Sequence, residues 1–300
     1  MFRKVLLAGI AAALIVSAQA PPGGGQGKGD GKGKGAPQEQ AIVQIKPGFY
    51  EVTGAGGNTS VVVTNGGVVV VDTKNLGEAN YNDLMAQIKK VTNQPVKYVV
   101  ITHVHQDHSG NTKSFIDAGA KVIAADGEKA ELATYTAPAG KPAEPNVTYA
   151  KNYAFKLGGV QVRVYHFSRA HTGGDSVVYF PSLKIVAGGD AIVNGAPNID
   201  FPNGGSAVEW PKLIAGTLKL DFDTLIPGHG NVMTKADVQA YKTKWETLVS
   251  RAKAEVKKGT PKDKLLASIK TDDIGWNVTG AQWTAPARLD PFYNELSKAK

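Results

Sequence analysis

A short apolar run, Val96 to Thr102 in "VKYVVIT", stops directly at "HVHQDH", residues 103 to 108. No other stretch constrains the fold as much. A run this short and rich in β-branched residues reads as a strand covered on both faces. Strands of that kind belong to layered α/β folds, with helices outside the sheets. The end of the strand is chemically loaded: three of the chain's six histidines and an aspartate stand within six positions.

The flanking sequence supports layers. Residues 42 to 73 are dense in β-branched residues, and in "VVVTNGGVVVVDT" the pair Asn65-Gly66 separates two valine runs. Asn-Gly is a strong hairpin signal because both residues tolerate positive φ, so a β-meander is expected here. "YNDLMAQIKKVT" spaces Leu84, Ile88 and Val91 on one helical face. Beyond His108 the pattern alternates: helix in "NTKSFIDAG", strand in "KVIAA", helix in "GEKAELATY". From residue 147 it returns to sheet, with turns at Gly158-Gly159 and Pro181-Ser182. A Gly/Pro/Asn loop follows (194 to 207), then a helix (208 to 220), the short strand "TLIPGHG", a long helix (235 to 257) and a segment bearing Trp276 and Trp283. Sheet, mixed α/β, sheet, mixed α/β is the order of two sheets packed face to face with helices outside.

The front of the chain has a different composition. "MFRKVLLAGIAAALIVSAQA" combines a basic start, an apolar stretch too short to span a bilayer and the small-residue pattern Ala18-Gln19-Ala20, as a secretory signal cut after Ala20 does. Residues 1–20 are therefore expected to be a signal peptide, and residues 21–41, rich in Gly, Lys and Pro, a flexible linker unable to bury a core. Residues 42–232 are expected to form the main domain, and residues 233–300 a helical extension packed on it. These expectations place the mature protein in the periplasm or outside the cell, without stable membrane insertion once the signal is cut. The formal net charge of +8 comes partly from the first forty residues, so charge does not demand a nucleic-acid partner. With no cysteine in the chain, thiolate nucleophiles and thiolate metal sites are excluded.

His103, His105 and Asp107 are two apart and would project to one side if extended geometry persisted past Thr102, leaving His108 to face a second centre. Imidazole and carboxylate together suit zinc and similar divalent ions. Further ligands are expected at strand ends beside glycines: His171 in "AHTGGD", Asp190 in "VAGGD" and His229 in "IPGHG". The glycines let the backbone come close to something. His166 sits within a strand and reads as structural. Asp72, closing "VVVVD", reads as a support for the metal loop or a turn cap, and Asp175 as a cap of its own turn.

"THVHQDHSGN", followed in order by "HTGGD", "GGD" and "PGHG", resembles the His-x-His-x-Asp-His pattern of the metallo-β-lactamase superfamily over most of residues 42 to 232. The resemblance implies an αββα four-layer sandwich of two mixed β-sheets, with a dinuclear centre in the cleft between the sheet edges. It implies His103, His105 and His171 around one metal, Asp107, His108 and His229 around the other, and Asp190 between them. The expected cofactors are two Zn2+, other divalent first-row ions being compatible. The cysteine-bearing β-lactamases place Cys where Asp190 stands and Lys where Val193 stands, so the ligand set is closer to the glyoxalase II and lactonase branches. The di-iron flavoproteins carry Glu at the place of His105, and the 62 residues between His108 and His171 leave no room for the large insert of the RNA-processing members.

Two cations a few ångströms apart lower the pKa of a shared water and make hydroxide available at neutral pH. The expected function is thus an exported hydrolase of a carbonyl-type bond (ester, lactone, thioester or β-lactam amide) in a small molecule, with Asp107 as the catalytic residue that orients the nucleophile and passes a proton to the leaving atom. The alternatives are a β-lactamase proper, a phosphodiester or sulfate-ester hydrolase using Arg163, Arg169 or Lys212 as an anion clamp, and a non-catalytic metal-binding envelope protein. Phe201 and the segment Trp276 to Trp283 are candidate walls of the cleft.

Overall fold

A computed structural model describes residues 39–137 and 139–299. The expected signal peptide and nearly all of the expected linker lie outside the described residues. The linker's last residue, Ala41, already belongs to the first strand, and Gln40 is buried, its amide donating to Asp83.

The first sheet is built from β1 (Ala41–Lys46), β2 (Phe49–Thr53), β3 (Thr59–Thr64), β4 (Gly67–Val71), β5 (Val96–Val100), β6 (Lys121–Ala125) and β7 (Val147–Tyr149), in that spatial order. Strands β1 to β4 form the expected antiparallel meander, and β4 to β7 are parallel. The connections that parallel pairing requires carry α1 (Glu78–Lys89), α2 (Gln106–Ser109), α3 (Thr112–Asp117) and α4 (Asp126–Leu132). The β3–β4 hairpin turns at Asn65-Gly66 with Thr64 paired to Gly67. Its positive φ, however, falls on Gly67 (130°) and on neither turn residue, so the type of turn that Asn-Gly predicts is not the one formed. Strand β5 ends at Val100, two residues before the expected Thr102, and Lys97 on it is exposed.

The second sheet runs β13-β12-β11-β10-β9-β8, from β8 (Asn152–Leu157), β9 (Val160–Tyr165), β10 (Val177–Phe180), β11 (Ile185–Gly189), β12 (Thr224–Pro227) and β13 (Met233–Thr234). Only its β11–β12 pair is parallel, and α5 (Trp210–Leu218) makes the crossover. The chain closes with α6 (Lys235–Lys257), α7 (Lys262–Ser268), α8 (Ala281–Thr284) and α9 (Pro286–Lys298). Helix α6 starts at a capping box in which the Thr234 hydroxyl and the Asp237 carboxylate each serve the other's backbone.

Strand alternation distributes the valines between two layers. Val69 and Val71 of β4 face inward and join Phe49, Val100 and Ile123 against Val162, Val178, Phe180 and Ile226 of the opposite sheet, where the Phe49 and Phe180 rings meet edge to face at 5.4 Å. Val68 and Val70 face outward, onto Leu84, Ile88 and Phe115. The outer face of the second sheet is covered by α5, α6, α7 and α9 through one continuous core that includes Trp210, Trp245, Leu265 and Phe292. Helices therefore lie outside two mixed sheets, as expected, and the helical C-terminal region shares its core with the second sheet. Among the described residues no helix is long and apolar enough to cross a membrane.

Candidate metal centre

Asp72 and His103 follow the parallel strands β4 and β5, while Asp190 and His229 follow the parallel strands β11 and β12. Carboxyl ends of parallel strands leave backbone and loops free to converge on a ligand, and here those of both sheets open on one cleft. Asn58 ties them together there: its amide donates to Gly228 O (2.8 Å), and its side chain donates to Pro227 O (3.1 Å) and Gly230 O (2.9 Å).

Around the cleft, His103, His105, His171 and Asp190 bring one ligand atom each within 4.8 Å of one another, and Asp107, His108 and His229 do the same beside them. The alternation argument fails for Asp107. Extended geometry stops at His105, which precedes α2, so Asp107 lies on a helical turn and groups with His108 and His229 instead of with His103 and His105. His103 and His105, still on extended backbone, do fall together.

Each of four rings has its outward nitrogen bound to an oxygen. Asp72 takes the amide and hydroxyl of Thr102 (both 2.8 Å) and His108 Nδ1 (2.8 Å). Because the Thr102 hydroxyl donates to that carboxylate, it can only accept from His103 Nδ1 (3.1 Å). His171 Nδ1 donates to Asn198 O (2.5 Å), and His105 Nε2 lies 2.6 Å from Asp200 Oδ2. These bonds set the tautomers so that His103, His108 and His171 aim Nε2 inward and His105 aims Nδ1 inward, the arrangement that metal-binding histidines require. His103 Nε2 is buried with no partner, and Asp190 Oδ1 lacks a well-formed hydrogen bond.

Ligand atoms around a tetrahedral ion with bonds of about 2.0–2.1 Å sit roughly 3.3 Å apart. The inward atoms match this spacing: His108 Nε2 and His229 Nε2 are 3.3 and 3.4 Å from Asp190 Oδ1, His171 Nε2 is 3.6 Å from Asp190 Oδ2, and His229 Nε2 is 3.1 Å from Asp107 Oδ2. The donor set therefore fits divalent cations.

Burial disfavours charge on every group here, and it holds the His103 and His171 rings below the usual imidazole range, His171 near 4. At His108 the carboxylates of Asp107, Asp190 and Asp72 outweigh burial and raise its pKa well above that range. In return His108 and His229 overcome burial at Asp107 and lower it to about 2.

Glycines bring the walls close. A Cβ on Gly57 would run into the His108 imidazole, one on Gly228 into Asp190 Oδ1, and one on Gly189 would stand 2.5 Å from Thr102 Oγ1. Lys74 is fully buried and donates to Val52 O (2.6 Å) and Gly57 O (2.7 Å), holding the 54–57 loop against His108.

Two cavities meet at the centre. One, of about 370 Å³, is lined by His105, His171, Asp190, His229, residues 193 to 196 and Asn198; the other, of about 440 Å³, by Gly56, Asn75, Gln106, Tyr135 and Thr136, with His105 and Asp107 common to both. The expected loop thus forms a wall, but Trp276 and Trp283 do not. They are buried against Trp245, with ring centroids 6.0 and 6.1 Å away, because the helical layer needs their area. Phe201 packs toward Phe292 at 6.4 Å. Arg169 pairs with Glu209 (2.7 Å), Arg163 reaches Gln161, and neither they nor Lys212 line the cavities. His166 Nδ1 bonds Asp175 O (2.8 Å), and Asp175 caps its turn through Thr172, as their structural readings expect.

Sequence reasoning missed Asp200, Asn198, Lys74 and Tyr135. Asp200 and Asn198 lie in a loop already marked by its composition, but nothing in that composition singles them out. Lys74 and Tyr135 have no local signal.

The sequence profile described as the metallo-β-lactamase superfamily matches residues 52–229. The metallo-β-lactamase IND-1 of Chryseobacterium indologenes is 30% identical over 176 residues, covering 57% of this chain and 71% of that protein. Among solved structures, a metallo-β-lactamase from Pontibacter korlensis superposes with a TM-score of 0.62 at 24% identity, covering 69% of this chain and 99% of that one. A stereoselective inverting sec-alkylsulfatase from Pseudomonas sp. does so with a TM-score of 0.67 at 19% identity, covering 86% of this chain and 50% of that one, a likeness of fold. With two mixed sheets, helices outside them and a cluster of histidines and aspartates where they open, the chain belongs to the metallo-β-lactamase superfamily of metal-dependent hydrolases.

Proposed function

We propose that this chain is an exported hydrolase that holds two zinc ions and cleaves a carbonyl-type bond, in an ester, lactone, thioester or amide, of an uncharged small molecule. In this reading His103, His105 and His171 hold one ion, Asp107, His108 and His229 the other, and Asp190 lies between them, one oxygen toward His171 and the other toward His108 and His229. When bound, such a pair supplies activated water at neutral pH and an electrophile for the carbonyl oxygen. The observation that carries the reading is the set of four inward-facing ring nitrogens fixed by outward hydrogen bonds, a preorganisation that a structural histidine cluster does not need.

The chain's own residues do the rest. Asp107 stands at the junction of both cavities. It accepts a hydrogen bond from the attacking water and passes the proton on to the leaving atom. Replacing Asp107 with Ala should lower turnover far more than metal content, and equal losses of both would remove this role.

The described residues lining the cavities include no Lys or Arg. A carboxylate, sulfate or phosphate on the substrate would find no side-chain counter-charge there, which favours a neutral acyl compound. The deciding experiment is a hydrolysis panel on zinc-loaded protein comparing an acyl-homoserine lactone, a thioester, a cephalosporin and a phosphodiester, with His105→Ala as control. Turnover of the phosphodiester alone overturns the carbonyl reading. Export is tested by the N-terminus of the chain recovered outside the cytoplasm, expected at Pro21.

A further inference from the structure

Helix α9 lies more than fifty residues beyond the segment matched by the family, yet it touches the loop that shapes the centre. Arg288 Nη1 donates to Asn198 Oδ1 (2.5 Å) and to the carbonyl of Ile199. The Asn198 carbonyl is the acceptor of His171 Nδ1. Two residues on, Asp200 holds His105 Nε2, and its amide donates to His171 O (2.8 Å). Residues 198 to 200 thus orient two of the inward rings, and Arg288 holds residues 198 and 199.

The far end of the same loop is held by the same helix. Glu295 accepts from the Ser206 hydroxyl, from Ala207 N (2.9 Å) and from Val208 N (3.4 Å), while Ser206 N bonds Ala170 O (2.9 Å), next to His171. Positions 288 and 295 are two helical turns apart, about 10 Å along one face. Phe292 and Leu296, buried at 1% and 3% exposure, fix that side of the helix on the core.

We propose that α9 is a working part of the centre, with Arg288 a positioning residue that sets the His171 ring through Asn198, and Glu295 a second anchor that fixes the far end of the same loop at residues 206 to 208, beside His171. The proposal rests on the reading that His171 is a metal ligand. A guanidinium clamp on neutral loop oxygens is a strong, geometrically specific restraint, and partners that orient a ligand from outside typically govern metal affinity by ten- to a hundredfold.

The test uses the full chain, in parent form and as Arg288→Gln, Arg288→Lys, Glu295→Gln and His171→Ala. Affinity for each zinc is measured by chelator competition, alongside KM, kcat and Tm. Arg288→Gln should weaken one zinc about tenfold while sparing the other, and raise KM severalfold. Arg288→Lys, which keeps the charge but not the planar guanidinium, should recover part of both losses, and Glu295→Gln should act mainly on KM. If Arg288→Gln lowers only Tm and leaves both zinc affinities and KM at parent values, α9 is a structural cover and the proposal falls. If that variant does not fold, Arg288→Lys decides, since parent zinc affinities and KM in it overturn the proposal equally. Retention of two zincs by His171→Ala would instead overturn the ligand reading, so the two failures are separable.

Discussion

Gly57→Ala adds one methyl group and should remove one metal. The new Cβ would stand 2.7 Å from His108 Nδ1 and closer still to Cε1 and Nε2. Carbon and ring atoms rest at about 3.5–4.0 Å, so ring or loop must retreat by at least about 1 Å. Neither is free to do so. His108 is completely buried, with Nδ1 on Asp72. The loop is pinned by Gly57 N on the Asp107 carbonyl (3.1 Å), Gly57 O on Lys74 and Asn58 N on Gly228 O. Metal–ligand distances tolerate only about 0.2 Å, so the shift removes His108 from any coordination sphere.

Overpacking of this kind costs about 1–3 kcal/mol of stability, and an ångström of misplacement at a reacting centre costs about a hundredfold in rate. The expected result is one zinc per chain by elemental analysis, against the two proposed for the parent, with turnover down by about that factor and a modestly lower Tm. Gly280→Ala, with nothing within 4 Å of the added carbon, is the control for a bare methyl group. Two zincs at parent affinity and turnover within about threefold would refute the chain of reasoning from the glycine to His108.

Three further outcomes follow from the same geometry. Asp72→Ala removes three hydrogen bonds that converge on Thr102 and His108 and should weaken zinc about ten- to a hundredfold in chelator competition. Burial, with Asp175 nearby, raises Glu131 to about 8, and neither of its oxygens makes a well-formed hydrogen bond. Between the ordinary carboxyl value of 4.5 and about 8 the folded state keeps a proton that the unfolded chain loses, so stability is full below that window and declines as pH rises through it. Glu131→Gln should flatten this decline in the Tm of chelator-treated protein, leaving the parts contributed by Asp175 and Glu51, each raised to about 7 by burial, and by the buried Glu128; an unchanged slope counts against a protonated Glu131. Finally, if zinc is held by the folded centre alone, as proposed, adding it at about 100 times Kd should stabilise the fold by about 2.7 kcal/mol, read as a Tm rise that excess chelator reverses.

Much of the site is legible in local patterns. Short apolar strands ending in His or Asp, with glycine beside them, announce both the layered sheets and the positions that converge, because strand ends are local in sequence and the sheets bring them together. The facing of Asp107 is not legible, since it depends on whether the chain stays extended or turns helical after His105, and the α2 turn reverses the expectation. The Asn65-Gly66 hairpin is placed correctly while its backbone type is not. Tertiary structure alone decides what lies behind the ligands. Asp200 reaches His105 across 95 residues and Arg288 reaches Asn198 across 90, and nothing in the composition of their segments distinguishes them. The sequence determined which side chains could bind metal, because ligand chemistry resides in residue type and strand ends recur as patterns. Which nitrogen each ring turns inward, and how firmly, was decided by packing, because a tautomer is set by the oxygen that the fold delivers to the other side of the ring.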